Sequence, residues 1–192
     1  MEECLPQDQR PLEYADRRGS GEQTFEEFLA TARHSAIHVE MRDTYDESDP
    51  AFVKWQETGS TAYDWARWIK LIGSTVERGV KVRRVRVVSE PVTDYMRWEH
   101  AISYGNVEAG EELRWLPRRQ ASDLLLPGAD LWMVDHRLVR YNFNAGDGTS
   151  LRQYEYVSDP RKVAQVVGSV EMIWERAIPH ADYRPKSTPP RP

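Results

Sequence analysis

Residues 80–99 read VKVRRVRVVSEPVTDYMRWE, and the fold follows from how this stretch is parsed. Lys81–Val88 is rich in β-branched residues and carries no helical apolar stripe, so it predicts a strand. Ser89-Glu90-Pro91 breaks the pattern. Thr93 or Asp94 then caps a helix that Tyr95 and Trp98 pin to the core. On the strand, alternation places Arg84 and Arg86 on one face and Arg83 on the other. Arginines beside a buried strand have to be paired with carboxylates or meet a ligand, because an isolated buried charge costs several kcal/mol.

Working outward, the segment before this strand is an amphipathic helix over Ala62–Gly79. Trp65, Trp68, Ile69, Ile72 and Val76 recur at three- and four-residue spacing, and Gly79 is a natural stop. Further upstream, Phe52–Trp55 is read as a short helical turn after the acidic loop Asp43–Pro50. Ala36–Met41 alternates Ala36, His38 and Glu40 against Ile37, Val39 and Met41, as a half-buried strand does. Thr24 with Glu27 forms a capping-box signature before Phe25, Phe28, Leu29 and Ala32.

Downstream, the helix from Thr93 is expected to reach Val107, followed by a strand at Leu113–Leu116 and a helix at Arg118–Leu125. Strands Leu131–Val134 and Leu138–Phe143 flank a tight connection at Asp135-His136-Arg137. Gly146-Asp147-Gly148 turns into Leu151–Val157, and Asp159-Pro160 opens a last helix to about Ile178. Alternating elements followed by a meander predict a single-domain α/β sandwich over residues 21–183, with a mixed sheet and helices packed on it. Residues 1–20 are read as a flexible segment and residues 184–192, RPKSTPPRP, as a disordered Pro-rich tail.

The 192-residue chain is 40% hydrophobic and 30% charged, the composition of a globular domain, with seven Trp and nine Tyr to bury. Its single cysteine, Cys4, excludes an internal disulfide, a cysteine-built zinc site and a redox pair. A net charge of −5 speaks against non-specific nucleic-acid binding, and no apolar run approaches membrane-spanning length. A cytoplasmic protein is expected. The basic residues are nearly all Arg (21 against 5 Lys), which suits bidentate contacts as well as a coding bias.

The candidate site gathers Arg84, Arg86, Arg97, Glu99 and Arg114 at the C-terminal edge of the sheet, where open α/β sheets commonly bind ligands. Its functional reading is a pocket for an anionic small molecule. The competing reading pairs the arginines with Glu90, Asp94, Glu99 and Glu111. Asp130, Asp135 and His136 read as turn chemistry, and His34 and His38 need not converge. Asp43, Asp46 and Asp49 lack a calcium loop's pattern and read as a solvated loop. Gly146–Thr149 has no Walker lysine, and there is no GxSxG serine. No catalytic residue, metal site or cofactor is assigned.

Several segments resemble the actinobacterial family DUF6879. They are TFEEFLATARHSAIHVEMRDTY, VRRVRVVSEPVTDYMRWE, NVEAGEELRWLPR, DLWMVDHRLVRYNF and WERAIPHADY, spanning residues 24–183. The resemblance implies company rather than chemistry: such proteins are often encoded beside, or joined to, helix-turn-helix regulators. A more distant similarity links the 128–135 stretch to the HxKxxxxD strand–turn–strand of phospholipase D-like domains. With its final Asp on Asp135, Gly128 falls at the nucleophilic His and Asp130 at the Lys, so such a copy would be degenerate.

The expected function is a non-catalytic ligand- or partner-binding domain in a regulatory system, with a helix-turn-helix regulator as candidate partner. The alternative is an enzyme, phosphodiesterase-like or another hydrolase, using Asp94, Glu99, Asp135 or His136 with the arginines. Direct nucleic-acid binding ranks last.

Overall fold

The computed structural model describes residues 23–62 and 64–186, so the readings for residues 1–20 and 187–192 lie outside the described residues. Helix α1 (Phe25–Ala30) opens with the foreseen capping box: Glu27 N–H donates to Thr24 Oγ1 at 3.1 Å, and Thr24 N–H donates to Glu27 Oε2 at 2.8 Å. Strand β1 (Ser35–Glu40), α2 (Pro50–Thr58) and α3 (Ala66–Glu77) follow, then β2 (Lys81–Val88) with the predicted bounds.

The helix expected over 93–107 is two helices, α4 (Asp94–Ile102) and α5 (Tyr104–Glu108). Ser103 lies between them, its hydroxyl donating to the Glu99 carbonyl at 2.6 Å, a side-chain bond that competes with helix continuation. Strand β3 (Glu112–Pro117) leads into one 3-10 turn, Arg118–Ala121, in place of the helix expected to Leu125. Arg118 instead reaches back to the Met41 and Val87 carbonyls at 2.5 and 3.1 Å.

Strands β4 (Asp130–Val134), β5 (Leu138–Asn144) and β6 (Ser150–Val157) form the meander, and α6 (Pro160–Arg176) is followed by a short β7 (Ile178–Pro179) that had no sequence signal. Asp135 and His136 both take left-handed φ (51° and 52°), as the central residues of a type I′ turn do. Beyond the expected boundary at 183, Lys186 is tied down: its carbonyl accepts from Val92 N–H at 2.8 Å and its Nζ meets Glu90 at 2.9 Å.

Among the described residues the strands form one mixed sheet, in the order β6-β5-β4-β1-β2-β3-β7. β1, β2 and β3 run parallel at its centre, and β4 lies antiparallel against β1. The chain is thus a single α/β domain. Ile37, Val39, Val85, Val87 and Leu116 point to one face, where Val170, Ile173 and Trp174 of α6 cover them. The alternate residues point to the other face, under α1, α3, α4 and α2. There Phe28, Leu29 and Ile72 build one apolar cluster, and Phe52, Tyr95, Trp98 and Trp115 another. The candidate site lies between these two clusters.

Candidate functional site

The parallel pairing of β1 with β2 sets His38 opposite Arg84 and Glu40 opposite Arg86. These four side chains share the face under α3 and α4, and none is more than 4% exposed. Glu40 Oε2 sits 3.1 Å from Arg84 NH1 and 3.1 Å from Arg86 Nε. Arg84 Nε donates to Glu111 Oε1 at 2.9 Å, and Arg86 NH1 meets Glu99 Oε2 at 2.7 Å. Asn106 donates to the second Glu111 oxygen at 2.7 Å. Three carboxylates therefore hold two guanidiniums, which meets the condition for burying arginine.

Aromatic faces complete the lining. The Arg84 guanidinium lies 5.2 Å over Trp68, and Arg86 lies 5.5 Å over Trp115. His38 stacks on Trp132, its cross-strand neighbour, with ring centroids 4.4 Å apart. Above this floor is a cavity of about 140 Å³, walled by Trp65, Trp68, Tyr95 and Trp98 from the helices and by Trp132 and Tyr154 from the sheet. Tyr45, the Gly148 turn and Asp130 close one side. Tyr45 Oη donates to Asp130 Oδ2 at 2.6 Å, and Met41 N–H donates to Asp130 Oδ1 at 2.8 Å. Arg140 stacks 3.6 Å from the Tyr154 ring and donates to Asn142 at 2.9 Å.

The ionisable groups of the cavity are pushed in opposite directions. Burial alone would raise the Glu40 carboxyl, but Arg86 and Arg84 outweigh it and hold the group at about 2. For Glu99, burial wins over Arg86 and the carboxyl titrates above its ordinary value. Burial also raises Asp130, to about 6, despite the bonds from Tyr45 and Met41. Burial and the surrounding arginines keep His38 neutral, against the pull of Glu40.

Of the residues singled out from the sequence, Arg84, Arg86 and Glu99 come together here. Arg97 and Arg114 do not. Arg97 lies one position round the helix from Trp98 and pairs with Asp94 at the surface, half exposed. Arg114 sits opposite Val85 and so faces α6, stacking 4.3 Å over Trp174 and donating to its carbonyl at 2.9 Å. Among the partners proposed for the arginines, Asp94, Glu99 and Glu111 serve as such, Asp94 at the surface with Arg97. Glu90 binds Tyr183 and Lys186 instead.

The four residues of the enzyme reading do not converge. Asp94 is at the surface, Asp135 caps the backbone N–H groups of Arg33, His34 and Ser35, and His136 faces Glu171 at 3.3 Å; only Glu99 is in the cavity. The acidic loop differs from the solvated one expected: Asp43 accepts from Ser89 N–H and Oγ at 2.6 Å each, and Asp49 is a buried cap of α2. His38, Glu40, Tyr45, Asp130 and Arg140 were missed as site residues. The legible signal was the polar face of β1, whose spacing matches that of Arg84 and Arg86.

Among the described residues, no three His, Cys, Asp or Glu side chains group to hold a metal ion, and no helix is long and apolar enough to cross a membrane.

Among solved structures the chain shows weak similarity to Nuc from Salmonella typhimurium, a phospholipase D family member. The two are 15% identical, with a TM-score of 0.45, over 81% of this chain and 86% of that one. It is also weakly similar to TrmBL2, an archaeal chromatin protein, at 18% identity and a TM-score of 0.43. That match covers 80% of this chain and 48% of TrmBL2, so the chain spans about half that protein's length. No curated protein matches it in sequence. The model of DUF6879, a domain of unknown function, matches residues 23–185, and the chain belongs to that family.

Proposed function

We propose that this chain is a non-catalytic, small-molecule-binding domain of a regulatory system, acting in the cytoplasm beside a helix-turn-helix regulator. One observation carries the binding half of the reading: a cavity of about 140 Å³ roofed by tryptophans, whose floor is a buried network of Glu40, Arg84, Arg86 and Glu99. A core with no ligand to meet is cheaper to fill with apolar side chains than with a charged network, so polar groups around an open volume fit a recognition site. The regulatory half rests on the family resemblance.

Thermal-shift screening of the full chain against phosphorylated metabolites, amines and heterocycles tests the binding half. A ligand that stabilises the wild type and loses its effect in Trp98→Leu supports it. Failure of every class to stabilise the protein refutes it. Co-purification with a helix-turn-helix protein, changed by that ligand, tests the regulatory half.

The enzyme reading keeps one observation of its own. Asp130, held at about 6 and bonded to Tyr45 beside the cavity, is a carboxyl able to exchange a proton near neutral pH. Hydrolysis of a generic phosphodiester or ester by the wild type, abolished by Asp130→Asn, favours that reading over the first.

A further inference from the structure

The sequence suggests an anion for this cavity because three arginines crowd one strand. The balance of charge in the folded protein points the other way. Five carboxylates line the cavity (Glu40, Asp46, Asp49, Glu99 and Asp130) against three guanidiniums, Arg84, Arg86 and Arg140. Glu111, just behind, takes up part of Arg84 as well. An anion would have to displace carboxylates from Arg84 and Arg86, and each displaced carboxylate would stay buried without its partner. A cation adds the missing countercharge without breaking any of these pairs.

We infer that the cavity binds a small planar organic cation, an amidinium, guanidinium or protonated heteroaromatic amine, between the Tyr95–Trp98–Trp65 wall and the Glu99 and Asp130 carboxyls. This deepens the ligand-binding reading above and rests on it. Tyr45, Tyr95, Trp98 and Trp65 form a continuous run of ring contacts, with centroids 5.1–6.3 Å apart. Such faces attract cations through their quadrupoles, most strongly where water is excluded. Glu99 and Asp130 line the same cavity as these rings, and Asp130 is bonded to Tyr45, so both acids stand beside this wall.

His38 is the second, independent feature. It is 4% exposed, lines the cavity and is held neutral, and its Nδ1 makes no hydrogen bond, lying 3.9 Å from Glu40. A buried polar atom of this kind is rarely left so in a structural core. It suits a ligand N–H. In size the cavity is comparable with the roughly 150 Å³ that holds one benzene-sized ring.

Three probes of one shape decide the matter: benzamidinium, benzamide and benzoate, titrated into the full chain by calorimetry at pH 7.5. The inference expects benzamidinium to bind at least about tenfold tighter than either of the others (about 1.4 kcal/mol). It also expects Glu99→Gln to weaken benzamidinium by a similar factor while leaving benzamide unchanged. If Glu99→Gln fails to fold, the ranking on the wild type decides alone. Benzoate binding as tightly as benzamidinium, equal binding of all three, or no binding of any at millimolar concentration overturns the cation assignment. Tight binding of benzoate or a phosphorylated metabolite would do so while leaving the ligand-binding reading intact. Only failure of every class in the wider screen removes that.

Discussion

Glu40 and Arg84, on neighbouring parallel strands, meet through Oε2 and NH1 at 3.1 Å, and the same oxygen lies 3.1 Å from Arg86 Nε. One carboxylate oxygen is thus the hinge between two guanidiniums, each of which reaches onward to a second carboxylate, Glu111 or Glu99. The arrangement is reciprocal. Each charge is buried only because its neighbours are, so the network is expected to respond as a unit.

Replacing Arg84 with Leu leaves Glu111 and Glu40 buried with fewer partners and is expected to cost roughly 3–5 kcal/mol. Arg84→Lys is expected to recover only part of this, since an ammonium cannot reach Glu40 and Glu111 with the fixed fork of a guanidinium. Urea denaturation of the three proteins measures both effects. A loss below about 1 kcal/mol for Arg84→Leu would contradict the buried network.

Asp130 and Glu40 impose opposite pH dependences. Asp130 is raised from 3.8 to about 6 in the folded state, so its contribution is fully present below pH 3.8 and is lost as pH rises through 6. Glu40 is lowered from 4.5 to about 2, so its contribution is present above pH 4.5 and is lost as pH falls towards 2. Asp130→Asn removes the first term and is expected to gain on the wild type by roughly 2–3 kcal/mol between pH 4 and pH 7. Stability curves of both proteins at several pH values check this. A constant difference across that window would rule out Asp130 as the titrating group.

Gly148 has φ +98°, and a Cβ there would lie 2.7 Å from the Tyr45 carbonyl oxygen. Since Tyr45 and this turn close the cavity, Gly148→Ala is expected to push them apart, costing roughly 2–3 kcal/mol and weakening ligand binding. Gly79→Ala is the control. Its φ is also positive (+83°), but nothing lies within 4 Å, so about 1 kcal/mol is expected with binding unchanged. Equal effects of the two substitutions would remove the steric argument.

Arg97→Ala is expected to be nearly silent, within about 0.5 kcal/mol, because its pair with Asp94 is at the surface. Arg114→Ala costs stability through Trp174 and its carbonyl, yet is expected to leave ligand affinity unchanged, since it faces α6. Calorimetry with whichever ligand the screen yields distinguishes them from Arg86→Ala, for which binding is expected to fall. Loss of affinity in Arg97→Ala would restore it to the site.

Local patterns were enough for much of this molecule. The bounds of β2, the capping box at Thr24, the Asp159-Pro160 helix start and the separation of Arg83 from Arg84 and Arg86 all follow from interactions within a few residues, which sequence spacing records directly. The same alternation, counted across β3, would have moved Arg114 off the site once its register with Val85 was known. What spacing does not record is which strands become neighbours. Parallel pairing of β1 with β2 brings Glu40 to Arg86 across 46 residues, and antiparallel pairing of β4 brings Trp132 onto His38. Residue spacing was enough for most of the elements and for the faces of Arg83, Arg84 and Arg86 on β2. That carboxylates outnumber those arginines around the cavity emerged on folding, because charge balance there is set by strand order and register, which depend on non-local burial.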